Sequence, residues 1–257
     1  MAQLDLTEVC DDFWRERQAG VYYPPRWFGQ LSIDEAYRVQ LDLLRRYLEQ
    51  GAHHIGWKVG LTGAAIQRQF GVHEPVFGFI LEEDRHPSGA RIEFDRLIEP
   101  GIENEICARL GSDLRGPGVD ERAARRAAAV VQPALELIET RGPFSQQLAV
   151  AIAENVQQKG VVLGEPRPVT DDPDLNRVGV VVSIRGETVA TVSADESPAD
   201  PLASVVWLAN KLAQYGLGLK AGEIVMTGSL TRQFAVRRGD RVVADFDPLG
   251  LVEVTFV

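Results

Sequence analysis

Ile102-Glu103-Asn104-Glu105-Ile106-Cys107-Ala108-Arg109-Leu110 decides the reading of this chain. Side chains two apart on a strand point to the same face, so if 102–110 is a strand, Glu103 and Glu105 project together. Such a pair either decorates the solvent face of an edge strand or grips a cation, because like charges side by side repel unless one takes up a proton. About thirty positions on, Pro133-Ala134-Leu135-Glu136-Leu137-Ile138 reads as a core strand with one carboxylate inside it. Charged residues are seldom buried unpaired, so Glu136 needs a partner. An all-carboxylate set selects a hard ion such as Mg²⁺ or Mn²⁺ over zinc, and Glu136 would supply the third ligand.

The bulk composition excludes several classes. With 257 residues, 45% hydrophobic and 25% charged, the chain is long enough for a large core and ordinary for a globular protein. A formal charge of -10 repels phosphate backbones, and the basic positions Arg122, Arg125 and Arg126 read as one solvated helix face, so nucleic acid is not an expected partner. No window approaches a membrane span, and Met1-Ala2-Gln3-Leu4-Asp5 carries no leader pattern; no membrane partner and a cytoplasmic location are expected. Cys10 and Cys107 lack metal or disulfide spacing.

Along the chain, 4–18 has apolar residues at helical spacing, and Ser32-Ile33-Asp34-Glu35 is a capping box opening a second helix to about Gln50. Between them the aromatic and proline-rich 22–28 reads as a loop covering the core. Thr62 is expected to cap a short helix through Phe70, and Glu74-Pro75-Val76-Phe77-Gly78 to form an extended segment and turn. Strands are expected at 92–94, 103–110, 133–138, 178–184, 188–192, 223–226, 241–246 and 251–256, and helices at 121–130, 146–157 and 201–215. No complete Gly-x-Gly-x-x-Gly loop or regular strand-helix rhythm is present, so the expectation is α+β, with a helix-rich part at 1–90 packed on a β-rich catalytic part at 91–257.

Gly56-Trp57-Lys58-Val59-Gly60-Leu61-Thr62, Glu103-Asn104-Glu105, Pro133-Ala134-Leu135-Glu136, Trp207-Leu208-Ala209-Asn210 and Thr227-Gly228-Ser229-Leu230-Thr231 occur in that order over nearly the whole chain. Together they resemble the hydratase/decarboxylase branch of the fumarylacetoacetate hydrolase superfamily. The resemblance implies a twisted, β-barrel-like core, a homo-oligomer, and Mg²⁺ or Mn²⁺ held by Glu103, Glu105 and Glu136. It also implies a small 2-oxo or 2-hydroxy acid substrate, Lys58 facing it, and substrate contacts from Leu61, Thr62, Phe77, Asn155 and Ser229. Lys58 has apolar neighbours, so either a lowered pKa suited to proton transfer or pairing with the substrate carboxylate is expected of it.

The implied reaction is 2-oxopent-4-enoate hydratase-like addition of water, giving a 4-hydroxy-2-oxo acid in the catabolism of aromatic compounds. The alternative is a 4-oxalocrotonate-type decarboxylation. Val76 stands where the hydratases tend to carry an acid, which leans toward the decarboxylase, whereas Ala134-Leu135-Glu136 and Gly228-Ser229-Leu230 look like the hydratases. Glu154-Asn155-Val156-Gln157-Gln158 keeps only Asn155 of the usual Asp-Asn-Ala-Ser-Ser. A non-catalytic metal-binding relative or partner subunit is the third reading. The histidines, His53, His54, His73 and His86, read as surface residues rather than bases.

Overall fold

The computed structural model describes residues 4–169, 174–196 and 200–257; positions 1–3 of the N-terminal reading lie outside them. The helices are α1 (Leu6–Gln18), α2 (Ile33–Glu49), α3 (Ala64–Phe70), α4 (Glu121–Ala127), α5 (Leu148–Ala153) and α6 (Leu202–Ala213). The strands up to the middle of the chain are β1 (His54–Gly60), β2 (Val76–Leu81), β3 (Arg85–Pro87), β4 (Ala90–Ile92), β5 (Pro100–Leu110), β6 (Ala128–Glu139) and β7 (Gln158–Leu163). After them come β8 (Arg167–Pro168), β9 (Gly179–Ile184), β10 (Glu187–Val192), β11 (Ile224–Ser229), β12 (Phe234–Ala235), β13 (Arg241–Asp247) and β14 (Gly250–Phe256).

Helix starts follow local chemistry. The Asp5 carboxylate accepts from the Thr7 N–H, and at α2 the Ser32 hydroxyl accepts from the Glu35 N–H while the Glu35 carboxylate accepts from the Ser32 N–H. The buried side of α2, including Tyr37, Val39 and Leu43, packs with α1 and α5. Tyr23 and Trp27 are buried, so the aromatic loop does cover the core. At α3 the expected cap is corrected: Gly63 occupies the N-cap with no side-chain bond, and Thr62 packs instead against Gly228, where a Cβ would come 2.7 Å from the Thr62 Oγ1.

Among the described residues the strands form two sheets. The nine-stranded one runs β2-β1-β11-β5-β6-β7-β3, with β12 on β5 and β8 on β6; the five-stranded one runs β10-β9-β13-β14-β4. Both mix parallel and antiparallel pairs, as β1 with β11 and β2 show in the larger and β14 with β4 and β13 in the smaller. Neither sheet closes on itself, which corrects the barrel-like expectation. Their strand edges stay unpaired to each other, and the sheets meet by packing, β13 and β14 lying on β6 and β14 also on β7. Leu135 and Leu137 from the larger sheet share one buried core with Val242, Ala244, Val252 and Val254 from the smaller.

Several boundaries move. The helix expected at 121–130 stops at Ala127, because Val130 and Val131 pair with Pro168 and Arg167 of β8. The strand expected at 92–94 ends at Ile92, with a 3-10 turn at Phe94–Arg96. β2, buried at every position, replaces the expected turn; β1 and β2 precede residue 90 yet belong to the same sheet as β5 and β6. No helix among the described residues is long and apolar enough to cross a membrane.

Candidate metal and substrate site

Strand register assembles the carboxylates. On β5 and β6 Glu103 lies opposite Glu136 and Glu105 opposite Ala134, so all three side chains share one face. One carboxylate oxygen from each lies within 4.8 Å of the others. Like charges directly opposite on neighbouring strands destabilise the pair. Burial sharpens the conflict: Glu105 and Glu136 are fully buried and Glu103 is partly so. β11 contributes through an irregularity between Met226 and Ser229, where Gly228 at φ 103° donates its N–H to the Glu105 Oε2 at 2.8 Å. The other Glu105 oxygen and both Glu136 oxygens have no hydrogen-bond partner. Leaving such a buried acceptor unmet costs about 1–3 kcal/mol.

Lys58 is the cation beside them. β1 sets it opposite Met226 and Gly78, and its Nζ lies 3.1 Å from the Glu136 Oε1, close enough for an ion pair without hydrogen-bond alignment. Burial works against the ammonium, but Glu136, Glu103 and Glu105 more than offset it, and its pKa lies above the ordinary lysine value. The lowered lysine pKa expected from its apolar neighbours is therefore corrected: the sequence neighbours are apolar, the spatial ones are acids. Burial, then Glu136, pushes the Glu103 carboxyl up to about 7, with Lys58 holding it back. Glu105 is raised well above the usual carboxylate range by burial and then by Glu136 and Glu103, against the Gly228 N–H and Lys58.

A cavity of about 420 Å³ opens on this cluster, lined by Lys58, Leu61, Thr62, Glu103 and Ser229. Phe77 and Asn155, the other two residues named from sequence, are not part of that lining. Phe77 is fully buried and stacks on Tyr37 at 4.2 Å, and the Asn155 amide is engaged by Phe79, accepting from its N–H at 2.7 Å and donating to its carbonyl at 3.0 Å. Gly78 leaves room for that clamp, since a Cβ there would come 2.7 Å from the Asn155 Oδ1. Asn155 opens a run of three left-handed residues, φ 65°, 51° and 62° at Asn155, Val156 and Gln157, and the last two line the cavity. Leu61 is also left-handed, at φ 54°, with its carbonyl accepting from the Gln67 side chain. For Leu61 and the β-branched Val156 this costs about 1–3 kcal/mol each, a strain that clusters at binding sites.

Other lining residues carried no sequence signal. Phe144 and Ile138 are apolar residues like dozens of others, and Arg232 and Gln233 follow a quoted motif without being singled out. No histidine lines the cavity, but His54 departs from its surface reading: it is largely buried against Trp57, with its Nδ1 3.3 Å from Glu223.

The family model described as fumarylacetoacetate (FAA) hydrolase C-terminal matches residues 74–257. The chain is 33% identical to a 4-oxalocrotonate decarboxylase of Pseudomonas putida, over 90% of this chain and 88% of that one. It is 31% identical to a 2-keto-4-pentenoate hydratase of Paraburkholderia xenovorans strain LB400, over 97% and 94%. Among solved structures, the 4-oxalocrotonate decarboxylase from Pseudomonas putida G7 complexed with magnesium and adipate superposes with a TM-score of 0.91 at 28% identity, covering 99% of both chains.

Proposed function

The chain belongs to the fumarylacetoacetate hydrolase family, and from that premise we propose that it is a divalent-metal-dependent lyase of 2-oxo-enoic acids and their 2-hydroxy-dienoate enols, adding water to give a 4-hydroxy-2-oxo acid. One observation carries the reading: three converging carboxylates with unmet buried oxygens, beside a cavity that also holds a lysine. Those oxygens fit a hard dication such as Mg²⁺ or Mn²⁺, which Glu103, Glu105 and Glu136 would hold. When bound, the ion supplies Lewis acidity toward the 2-oxo group of the substrate.

The protein's own residues do the rest. Lys58 keeps its proton among the carboxylates, so its ammonium is placed to pair with the incoming carboxylate and to hold a proton at Nζ beside the reacting chain. Hydration needs a proton at the far carbon of the dienol and then water at C4. The Thr62 and Ser229 hydroxyls line the wall where such a water can be oriented, while Ile138 and Val156 keep the remaining wall apolar.

Val76 favours a second reading, decarboxylation of a vinylogous 2-oxo acid. Val76 lies opposite Gly60, two positions from Lys58 on the same face of β1, and is buried, so an apolar side chain stands diagonally across from the lysine where a further acid would activate water. A homo-oligomer and a cytoplasmic location belong to the same proposal, and the apolar groove at Leu44, Leu48, Tyr215 and Leu217 is a surface that self-association would cover.

An ultraviolet assay of Mg²⁺-loaded protein on a monocarboxylic and a dicarboxylic dienoate, with CO₂ detection, tests the proposal. Loss of dienoate absorbance without CO₂ is expected; CO₂ release from the dicarboxylate would establish the decarboxylase reading instead. Inertness toward both would leave a non-catalytic metal-binding relative.

A further inference from the structure

Arg232 lines the same cavity as Lys58 and Glu103 but carries no ion pair among the described residues. Further along the chain Arg238 pairs with Asp95 and Arg241 with Glu253, whereas Arg237, like Arg232, has no ion pair among the described residues. Its guanidinium carbon stands 4.3 Å from the centre of the Phe234 ring, and its one hydrogen bond is a long one, Nη1 donating to the Gln233 carbonyl at 3.4 Å. Stacking on a ring orients the guanidinium plane and leaves most of its N–H fork free.

The place of Arg232 in the cavity follows from register and exposure. Ser229 lies opposite Glu105 and Phe234 opposite Ile102, so the intervening chain, Arg232 included, runs past the trio toward the exposed rim. Arg232 is exposed, whereas Lys58, Glu105 and Glu136 are buried. The lining also holds Ile66, Ile138 and the edge-to-face pair Phe70 and Phe144 at 5.3 Å, with the polar Gln157, Thr231 and Gln233 among them. The cavity of about 420 Å³ thus joins Glu103 and Lys58 to a set of apolar side chains and to the exposed cation Arg232.

From this we infer that the substrate is a dicarboxylate whose second, distal carboxylate pairs with Arg232. A chain of formal charge -10 repels a dianion as a whole, so a free guanidinium in the cavity lining has work to do that a monoanion would need less. A planar fork matches a carboxylate in two-point fashion. The inference rests on the reading above, in which the 2-oxo acid end sits at the carboxylate trio and Lys58.

Isothermal titration calorimetry of Mg²⁺-loaded protein with 2-oxoadipate and 2-oxohexanoate separates the terms, because these six-carbon acids differ only in the distal carboxylate. Wild-type protein is expected to bind the diacid about tenfold tighter or more, R232A to lose that preference, and R232K to recover part of it. Equal binding of both acids by wild type, or an undiminished preference in R232A, would overturn the assignment while leaving the site itself standing. Binding of neither acid would overturn both. These saturated acids offer no double bond to hydrate, so an Arg232-dependent preference supports the assignment even if the dienoate assay shows no turnover.

Discussion

Two clusters of buried acids lie within a few residues of each other on β6, and they are built on opposite terms. On one face Glu136 meets Glu103 and Glu105, with Lys58 as the single cation and several oxygens unmet. At the strand's end Glu139 accepts from Arg141 Nε at 2.8 Å and from the Ile98 N–H at 3.1 Å, and nearby Glu154 accepts from Arg17 Nη1 at 2.8 Å, while Arg17 Nε also donates to the Tyr47 hydroxyl at 2.6 Å. Each acid of the second cluster has its own guanidinium, so although Glu154 Oε1 and Arg141 Nη1 also lack a hydrogen-bond partner, its charges balance and hold α1 and the 154–158 turn against the sheet. In the first, carboxylates outnumber cations, and folding leaves a deficit that protons or a bound cation must fill. The difference separates a structural charge cluster from a functional one.

Substitutions should therefore act in opposite directions on the two. The largest expected effect is on chemistry at the trio: Glu105→Gln should lower turnover by at least about a thousandfold, since a metal's share of transition-state stabilisation is several kcal/mol. The same variant should raise the melting temperature of metal-free protein, because one of three crowded charges is gone. Activity retained in Glu105→Gln would show that this carboxylate is not a ligand.

At the paired cluster the sign reverses. Arg17→Met leaves Glu154, 1% exposed, without its main partner, and should cost about 3 kcal/mol in urea unfolding at pH 7. A stability loss no larger than that of an exposed ion pair would erase the proposed distinction.

The smallest effect is a slope with pH. Glu103, with its pKa raised to about 7, and Glu105, also raised by burial and its neighbouring acids, bind more protons folded than unfolded above their ordinary range near 4.5, so metal-free stability should fall as pH rises from about 5 through 7. Lys58, also raised, contributes stability that is fully present below its ordinary value and adds no slope in that window. Saturating Mg²⁺ should flatten or reverse the fall, because binding needs the ionised carboxylates. Melting temperatures across that range, with and without Mg²⁺, measure it; a metal-free protein that gains stability with rising pH would mean the trio is not protonated in this way.

Legibility in the sequence followed the range of the interaction. The α2 capping box is a contact over three residues and was readable letter by letter, as were β13 and β14, whose alternation and turn glycines are local. β2 was read as a turn because Pro75 and Gly78 are turn signals, yet its apolar run is buried on both faces, which periodicity alone does not distinguish. β7 begins with Gln158 and Lys159, polar letters that hide a strand supported from both sides by β6 and β3. Thr62 has a cap's chemistry, but its side chain packs on Gly228, more than 160 positions away. Asn155 and Phe77 stood in motifs read for substrate contact, and their side chains serve the backbone of β2 and the packing of α2.

By itself, then, the chain's order of residues determined that Glu103 and Glu105 point the same way, that a carboxylate sits in the apolar run around Glu136, and which family they resemble, because alternation and motif spacing are properties of a single strand. Only the tertiary structure decided that Glu136 faces Glu103, that Lys58 is surrounded by acids rather than by its apolar neighbours, and that Arg232 shares their cavity. Those facts depend on strand register and on a bulge at Gly228, and such pairings are set by how separate segments pack, which no local pattern records.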